Sequence, residues 1–214
     1  VVLYDEVVGH LIETVELPGP DAVELVERSW ESGPCQEHLP YAAGDDGVPA
    51  MARPGDGYRT HITGLTHAED GFPTQDPAAV DRVMRRLLGK LDRHRAAIET
   101  YQAVGCEDAL VLVGASGVTA RPAGRAVRQA RDQGIRAGLF RPITMWPFPE
   151  RAFREVARRA HAVWVPEMSA GQLCLEVERH CAPDSRVQGL GRIVGQPIAP
   201  DEILEQIREL ASRG

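Results

Sequence analysis

No two cysteines in this chain stand in a C-x-x-C pair; the four, Cys35, Cys106, Cys174 and Cys181, are scattered. That excludes the usual zinc-ribbon and iron–sulfur ligand patterns. Cys174 and Cys181 are the nearest pair, and two turns of one helix hold them about 10 Å apart, too far for a disulfide. The four read as plain thiols of a reducing cytoplasm. No apolar run approaches the ~20 residues a membrane span requires. Basic charge is in deficit: the net charge is −7, which excludes a generic nucleic-acid or anionic-membrane surface. A basic, then apolar leader is missing too. The chain opens Val-Val-Leu-Tyr-Asp without an initiator Met, in the manner of a strand interrupted midway, so the expectation is a fragment or processed piece of something longer. Internal repeats and low-complexity tracts are absent.

What is present is an ordinary globular composition, 43% hydrophobic and 26% charged over 214 residues, enough for one good core with extra segments. Val1 to Tyr4 is an apolar, β-branched run that stops at Asp5-Glu6, and apolar residues continue from Val7 to Leu17 before a Pro-Gly-Pro break; residues 1–17 read as the tail end of a preceding domain. Residues 18–76 carry seven prolines, from Pro18 to Pro73, and an eighth, Pro77, stands at the boundary. Regular structure should be scarce there, apart from a short amphipathic stretch around Ala22 to Arg28. A loop segment this long is expected to wrap a neighbour as a linker arm. Asp76-Pro77 supplies an N-cap and a first-turn proline. From there Val80, Met84, Leu87, Leu91, Ile98 and Tyr101 recur at helical spacing, predicting one long amphipathic helix over 77–104.

Residues 105–214 alternate. Strands are expected at Ala109–Val113, after Gly134, at His161–Val165 and at Arg186–Ile193. Between them lie helices with inner faces at Ala123, Val127 and Ala130, at Phe153, Val156 and Ala157, and at Leu173 and Val177, and a last helix opens at Pro200. Strands alternating with ten- to fifteen-residue helices predict an α/β fold, a mainly parallel sheet with helices on both faces. Ser116 or Thr119 is expected to cap the first of these helices, and Ser169 the third.

Three places have the residue types for chemistry. Gly114-Ala115-Ser116-Gly117 sits at a strand-to-helix turn, where backbone amides bind phosphate in doubly wound folds. Its spacing is not G-x-G-x-x-G, and no G-x-x-x-x-G-K-[ST] occurs, so a tight turn is the simpler account. Arg141, ending the second strand, would suit a 2′-phosphate, which keeps a non-enzymatic nucleotide-binding or regulatory module as the alternative. The loop from Tyr58 onward gathers Arg59, His61, Thr63, Thr66, His67 and Thr74, residues able to hold an anion or position a proton. They are the candidate interface or pocket-facing set. His61, His67 and Asp70 are a zinc possibility only if the loop folds them together, and docking of the loop by hydrogen bonds is the plainer reading. Glu167, at the third strand's carboxyl end, reads as a structural carboxylate. Ser116 lacks a G-x-S-x-G setting and no cysteine has a recognisable partner, so no catalytic, cofactor-binding or metal residue is assigned.

The stretch Gly-Ile-Arg-Ala-Gly-Leu-Phe-Arg-Pro-Ile-Thr-Met-Trp-Pro-Phe-Pro, from Gly134 to Pro149, resembles the corresponding strand and turn in the transketolase-C-terminal-like domain of the alpha subunit of 2-oxoacid:ferredoxin oxidoreductases. Asp5-Glu-Val-Val-Gly-His10 resembles the end of that family's first, pyrimidine-binding domain, and Val165-Pro-Glu-Met168 with Gly171-Gln-Leu173 resembles its third strand and helix start. Gly64-Leu-Thr-His67, continued by Gly71-Phe-Pro-Thr-Gln-Asp-Pro77, resembles the 2-oxoglutarate branch, with Ala68-Glu69-Asp70 departing mildly from its pattern. The resemblance covers essentially the whole chain. It implies an enzyme that decarboxylates a 2-oxo acid on thiamine diphosphate, forms an acyl-CoA and reduces ferredoxin through iron–sulfur clusters. It also implies that residues 1–17 end a pyrimidine-binding domain. Expected partners are a beta subunit, holding the diphosphate, magnesium and cluster, and a second alpha subunit, with ferredoxin and CoA as co-substrates. The piece would support assembly and the active-site surroundings, and alone would be inactive.

Overall fold

The structure, a computed structural model, describes residues 2–213. In chain order the elements are α1 (Glu6–His10), α2 (Pro77–Arg93), α3 (Arg95–Ile98), β1 (Tyr101–Val104), β2 (Val111–Gly114), α4 (Ala120–Asp132), β3 (Ala137–Pro142), α5 (Glu150–Ala157), β4 (Ala162–Glu167), α6 (Gln172–His180), β5 (Arg186–Gly191) and α7 (Pro200–Ser212). They divide into two compact units, one made of the residues up to Glu13 and from Ala97 onward, the other of Thr14–Ala96. No helix among the described residues is long and apolar enough to cross a membrane.

The first unit is a five-stranded sheet in the order β1-β3-β2-β4-β5. All neighbours are parallel except β1 and β3. Strands buried on both sides read as continuous apolar runs, and β2, β4 and most of β3 do so. Alternate residues feed two cores. Val113, Leu139 and Trp164 meet α4 through Ala123 and Val127, and α7 through Ile203 and Ile207. Leu112, Phe140, Val163 and Val165 meet α5 through Phe153, and α6 through Leu173 and Val177. The predicted α/β sheet with helices on both faces is therefore what forms. A tight joint lies at Gly138, where a Cβ would stand 2.8 Å from the Gly105 carbonyl oxygen and 2.9 Å from the Ala109 Cβ.

Two expectations give way. The long helix of 77–104 ends at Arg93, and Tyr101–Val104 becomes the antiparallel edge strand β1. The sheet edge competes with the helix and wins locally. Thr144 Oγ accepts from Thr100 N–H (3.1 Å) and donates to the Ile98 carbonyl (2.6 Å). The Tyr101 ring also stacks on buried Phe140 at 5.3 Å. Residues 2–4 form no strand; their side chains lack a sheet to pair with and stand in solvent, Leu3 78% exposed. Val1 lies outside the described residues.

The second unit holds α2 and the turns before it. Asp76 accepts from the amides of Ala78 and Ala79, as a helix N-cap should. The amphipathic stretch around Ala22 to Arg28 takes up no regular structure beyond Ala22. A single 3-10 turn covers Pro20–Ala22, and the apolar residues that follow are exposed and offer no core to fold against.

Candidate functional site

Within the second unit the candidate loop folds back on itself around His67, one of few buried polar residues, at 3% exposure. Its Nδ1 donates to the Gly71 carbonyl at 2.7 Å, and Nε2 lies 2.7 Å from the Thr63 hydroxyl. With the proton on Nδ1, that hydroxyl donates to Nε2 while accepting from the Leu65 amide (3.3 Å). Tyr41 stacks on the imidazole at 4.8 Å, and His61 meets it edge-on at 5.4 Å. The Thr74 amide donates to the Thr66 carbonyl (2.9 Å), and the Thr74 hydroxyl accepts from the Asp76 amide (3.2 Å), linking the loop to the cap of α2. Gly71 is left-handed at φ +92°, a conformation glycine adopts without steric cost.

The structure thus brings Thr63, Thr66, His67 and Thr74 into one hydrogen-bonded hairpin, with His61 against its ring. Arg59 stays apart, exposed. The imidazole of His67 is consumed by its two bonds. Beside it a cleft of ≈430 Å³ is lined by Tyr41, His67, Ala68, Val83 and Arg86. Asp70 turns to the Phe72 amide at 3.0 Å instead of joining the histidines, and no three His, Cys, Asp or Glu among the described residues are placed to hold a metal.

In the first unit, the carboxyl edge of the sheet is where open α/β folds bind ligands. Neither Ser116 nor Thr119 caps the start of α4. The Val118 amide instead donates to the Asp5 carboxylate at 2.7 Å, and the same carboxylate lies against Gly117. The position a phosphate would take at this turn therefore holds the chain's own anion, which removes the basis of a nucleotide site. Arg141 is directed to Gln102 (3.1 Å). Ser116 contacts the sulfur of Met145 at 3.3 Å.

Glu167 caps α6 in place of Ser169. Buried at 4% exposure, its carboxylate accepts from the amides of Leu173 and Cys174, both at 3.0 Å, and from the Ser169 hydroxyl. A carboxylate against the positive end of a helix is favourable electrostatically. Sequence reading missed Asp5, which acts 113 positions away. It named Glu167 as structural without its bonds. Burial raises the Cys106 and Cys174 thiols to about 11 each, so neither is a ready nucleophile.

Against known proteins, residues 109–203 match the domain family described as pyruvate:ferredoxin oxidoreductase core domain II. Residues 109–203 belong to that family. Beyond that domain, the chain is 41% identical over 210 residues to the 2-oxoglutarate synthase subunit KorA of Methanothermobacter thermautotrophicus, covering 98% of this chain and 55% of that protein. The KorA subunit of Methanocaldococcus jannaschii is 36% identical over 203 residues, 94% of this chain and 53% of that protein. The chain thus spans about half the length of the curated relatives it matches. A solved structure of 2-oxoglutarate:ferredoxin oxidoreductase from Magnetococcus marinus, with 2-oxoglutarate, coenzyme A and succinyl-CoA bound, superposes with a TM-score of 0.78 over 91% of this chain and 34% of that one, at 23% identity. That likeness concerns the fold. The family resemblance read from the sequence is borne out by these matches.

Proposed function

We propose that this chain is the C-terminal part of the alpha subunit of a thiamine-diphosphate-dependent 2-oxoglutarate:ferredoxin oxidoreductase, an enzyme of the cytoplasm. The complete enzyme converts a 2-oxo acid and CoA to an acyl-CoA and reduces ferredoxin. The observation that carries the reading is the 41% identity running through 98% of the chain into a KorA subunit. The chemistry here is that of a support. The phosphate position before α4 holds Asp5. Among the described residues no donor set for magnesium or an iron–sulfur cluster is assembled, and no catalytic step is derived from them.

Its work is to hold neighbours in place: a beta subunit, and a second alpha subunit. Arg59 and His61, both exposed, face such a neighbour, while Thr63, itself exposed, joins Thr66, His67 and Thr74 in keeping the loop in shape. A graft tests the reading. When this chain replaces the matching half of the M. thermautotrophicus KorA subunit, co-expressed with its partner subunits, CoA-dependent viologen reduction by 2-oxoglutarate should survive. The isolated chain should show none. A correctly folded, fully assembled graft without turnover, or turnover by the isolated chain, would overturn the proposal.

A further inference from the structure

On the α4 side of the sheet, helices α4 and α7 cover the inner strands, but the edge strand β1 lies bare, all four residues exposed. The result is a groove of ≈570 Å³ between α4 and β1. Its floor is apolar, with Val104 and Leu139, and its walls are basic, with Arg121, Arg125, Arg128 and Arg141. Four arginines around one groove are out of keeping with a chain of net charge −7. Arg121 already shows the preference of the groove: its Nη1 donates to both oxygens of Glu13, at 3.2 Å each. Arg125 and Arg128 are exposed on α4.

The complement is in the same sequence. Residues 11–28 carry Glu13, Glu16, Asp21, Glu24 and Glu27, against a single Arg28, and are interleaved with aliphatic residues. Every residue of this strap is exposed, including Ile12 at 103%, Leu17 at 82% and Val26 at 91%. Bare aliphatic side chains at this density mark a surface meant to be covered. Asp21, Glu24 and Glu27 recur every third residue, about 9 Å along an extended chain. Arg121 and Arg128, seven residues apart on α4, are separated by about 10 Å.

We propose that residues 16–28 of the strap, beyond the Glu13 that pairs with Arg121 of its own chain, seat in the α4–β1 groove of a second copy of the chain. Its acids meet Arg125, Arg128 and Arg141, and its aliphatic side chains lie on Val104 and Leu139. Each copy owns one strap and one groove, so reciprocal exchange closes as a two-fold pair with two identical contacts. The free edge of β1 adds backbone hydrogen-bonding capacity along the groove. This deepens the reading of a second alpha subunit as partner and rests on it.

The test is the association of the chain of residues 1–214, by sedimentation at several salt concentrations. The expected result is a dimer that weakens as salt rises, since the contacts are between exposed charges. R125E/R128E should weaken it by about tenfold or more in Kd, with an unchanged circular dichroism spectrum because both side chains are exposed. E24R/E27R should do the same, and the chain carrying all four changes should regain association, because the charges are then exchanged between strap and groove. Dimerisation indifferent to both pairs of changes would overturn this placement and leave the second-copy reading standing. A monomer at all concentrations would overturn the proposal, as would a groove whose variants fail only to bind the beta subunit. Neither outcome bears on the graft, which reads turnover.

Discussion

Removing the Glu167 side chain isolates a contact that stability and hydrogen exchange both report. In the Glu167→Ala variant, the amides of Leu173 and Cys174 lose their acceptor at the buried start of α6. A buried donor left without a partner costs about 1–3 kcal/mol, and an N-cap lost to alanine about 1 kcal/mol. Two such amides, partly rehydrated through the space the side chain vacates, come to about 3 kcal/mol. At about 2–4 °C per kcal/mol for a chain of this size, the melting point should fall by about 6–12 °C. Glu167→Gln keeps one acceptor oxygen and should cost about half as much, the amide NH2 now facing a helix amide. Trp164 is three residues earlier on β4 and 2% exposed, so its blue-shifted fluorescence follows this unit through urea unfolding. Hydrogen exchange supplies the site-specific measurement: Leu173 and Cys174 amides should lose protection in the alanine variant while β2 amides keep theirs at matched stability. A Glu167→Ala protein melting within about 2 °C of the parent, with those two amides still protected, would refute the assignment of Glu167 as the cap.

Three further outcomes follow from the same geometry. Gly138→Ala forces a Cβ against the Gly105 carbonyl and the Cys106 Cα, 2.8 and 3.0 Å away, and backbone cannot yield as a side chain would. Denaturant melts should show about 2 kcal/mol lost, whereas Gly64→Ala, with nothing within 4 Å of its Cβ, should be close to neutral. Thr63→Val leaves buried His67 Nε2 without its 2.7 Å partner, so limited proteolysis should cut the 61–74 loop several-fold faster, and Thr63→Ser should restore resistance. Glu202 is held down to about 2, first by Arg192 (2.5 Å) and then by the Ala199 amide. A depressed carboxylate stabilises the fold above its unfolded value, 4.5, and loses that contribution as pH falls toward about 2. Glu202→Gln should therefore lower the urea midpoint at pH 7, and the gap to the parent should close on acidification through that window.

The parallel sheet was legible because each strand–helix unit signals locally: a short apolar run, then alanines and aliphatics at helical spacing, then a stop such as Gly134. The cap at Asp76 was legible for the same reason, since its partners are two and three residues away. Legibility failed where a distant element decides. Ile98 and Tyr101 fit the period of the preceding helix, and nothing near them announces that Thr144, more than forty positions on, will bind Ile98 and Thr100 and draw the next residues onto a sheet edge. Asp5 is equally silent in sequence, an acid in an acidic, exposed stretch until the fold sets it against Val118. Of the six candidate loop residues, four (Thr63, Thr66, His67 and Thr74) fall in one hydrogen-bonded hairpin. Which members would face inward depended on Tyr41 and Gly71, whose part shows only once the loop closes.

The placement of these carboxylates bears directly on what the domain can do. In a sheet of this kind the helices after β2, β4 and β5 all begin at the carboxyl edge, and the amides exposed there are the fold's default anion sites. Here those beginnings are supplied from within: Asp5 on Val118 before α4, Glu167 on the start of α6, Glu202 on the Ala199 amide at the start of α7. Bringing in a phosphate would mean displacing a carboxylate already paired with the same amides and bringing a second negative charge beside it. The starts of α4, α6 and α7 on this edge are electrostatically occupied, while that of α5 carries no side-chain cap. The flank stays open: the arginine-walled groove beside β1 and the bare strap, surfaces suited to another polypeptide. A domain that satisfies these helix termini itself and leaves its flank uncovered fits the assembly role proposed for it.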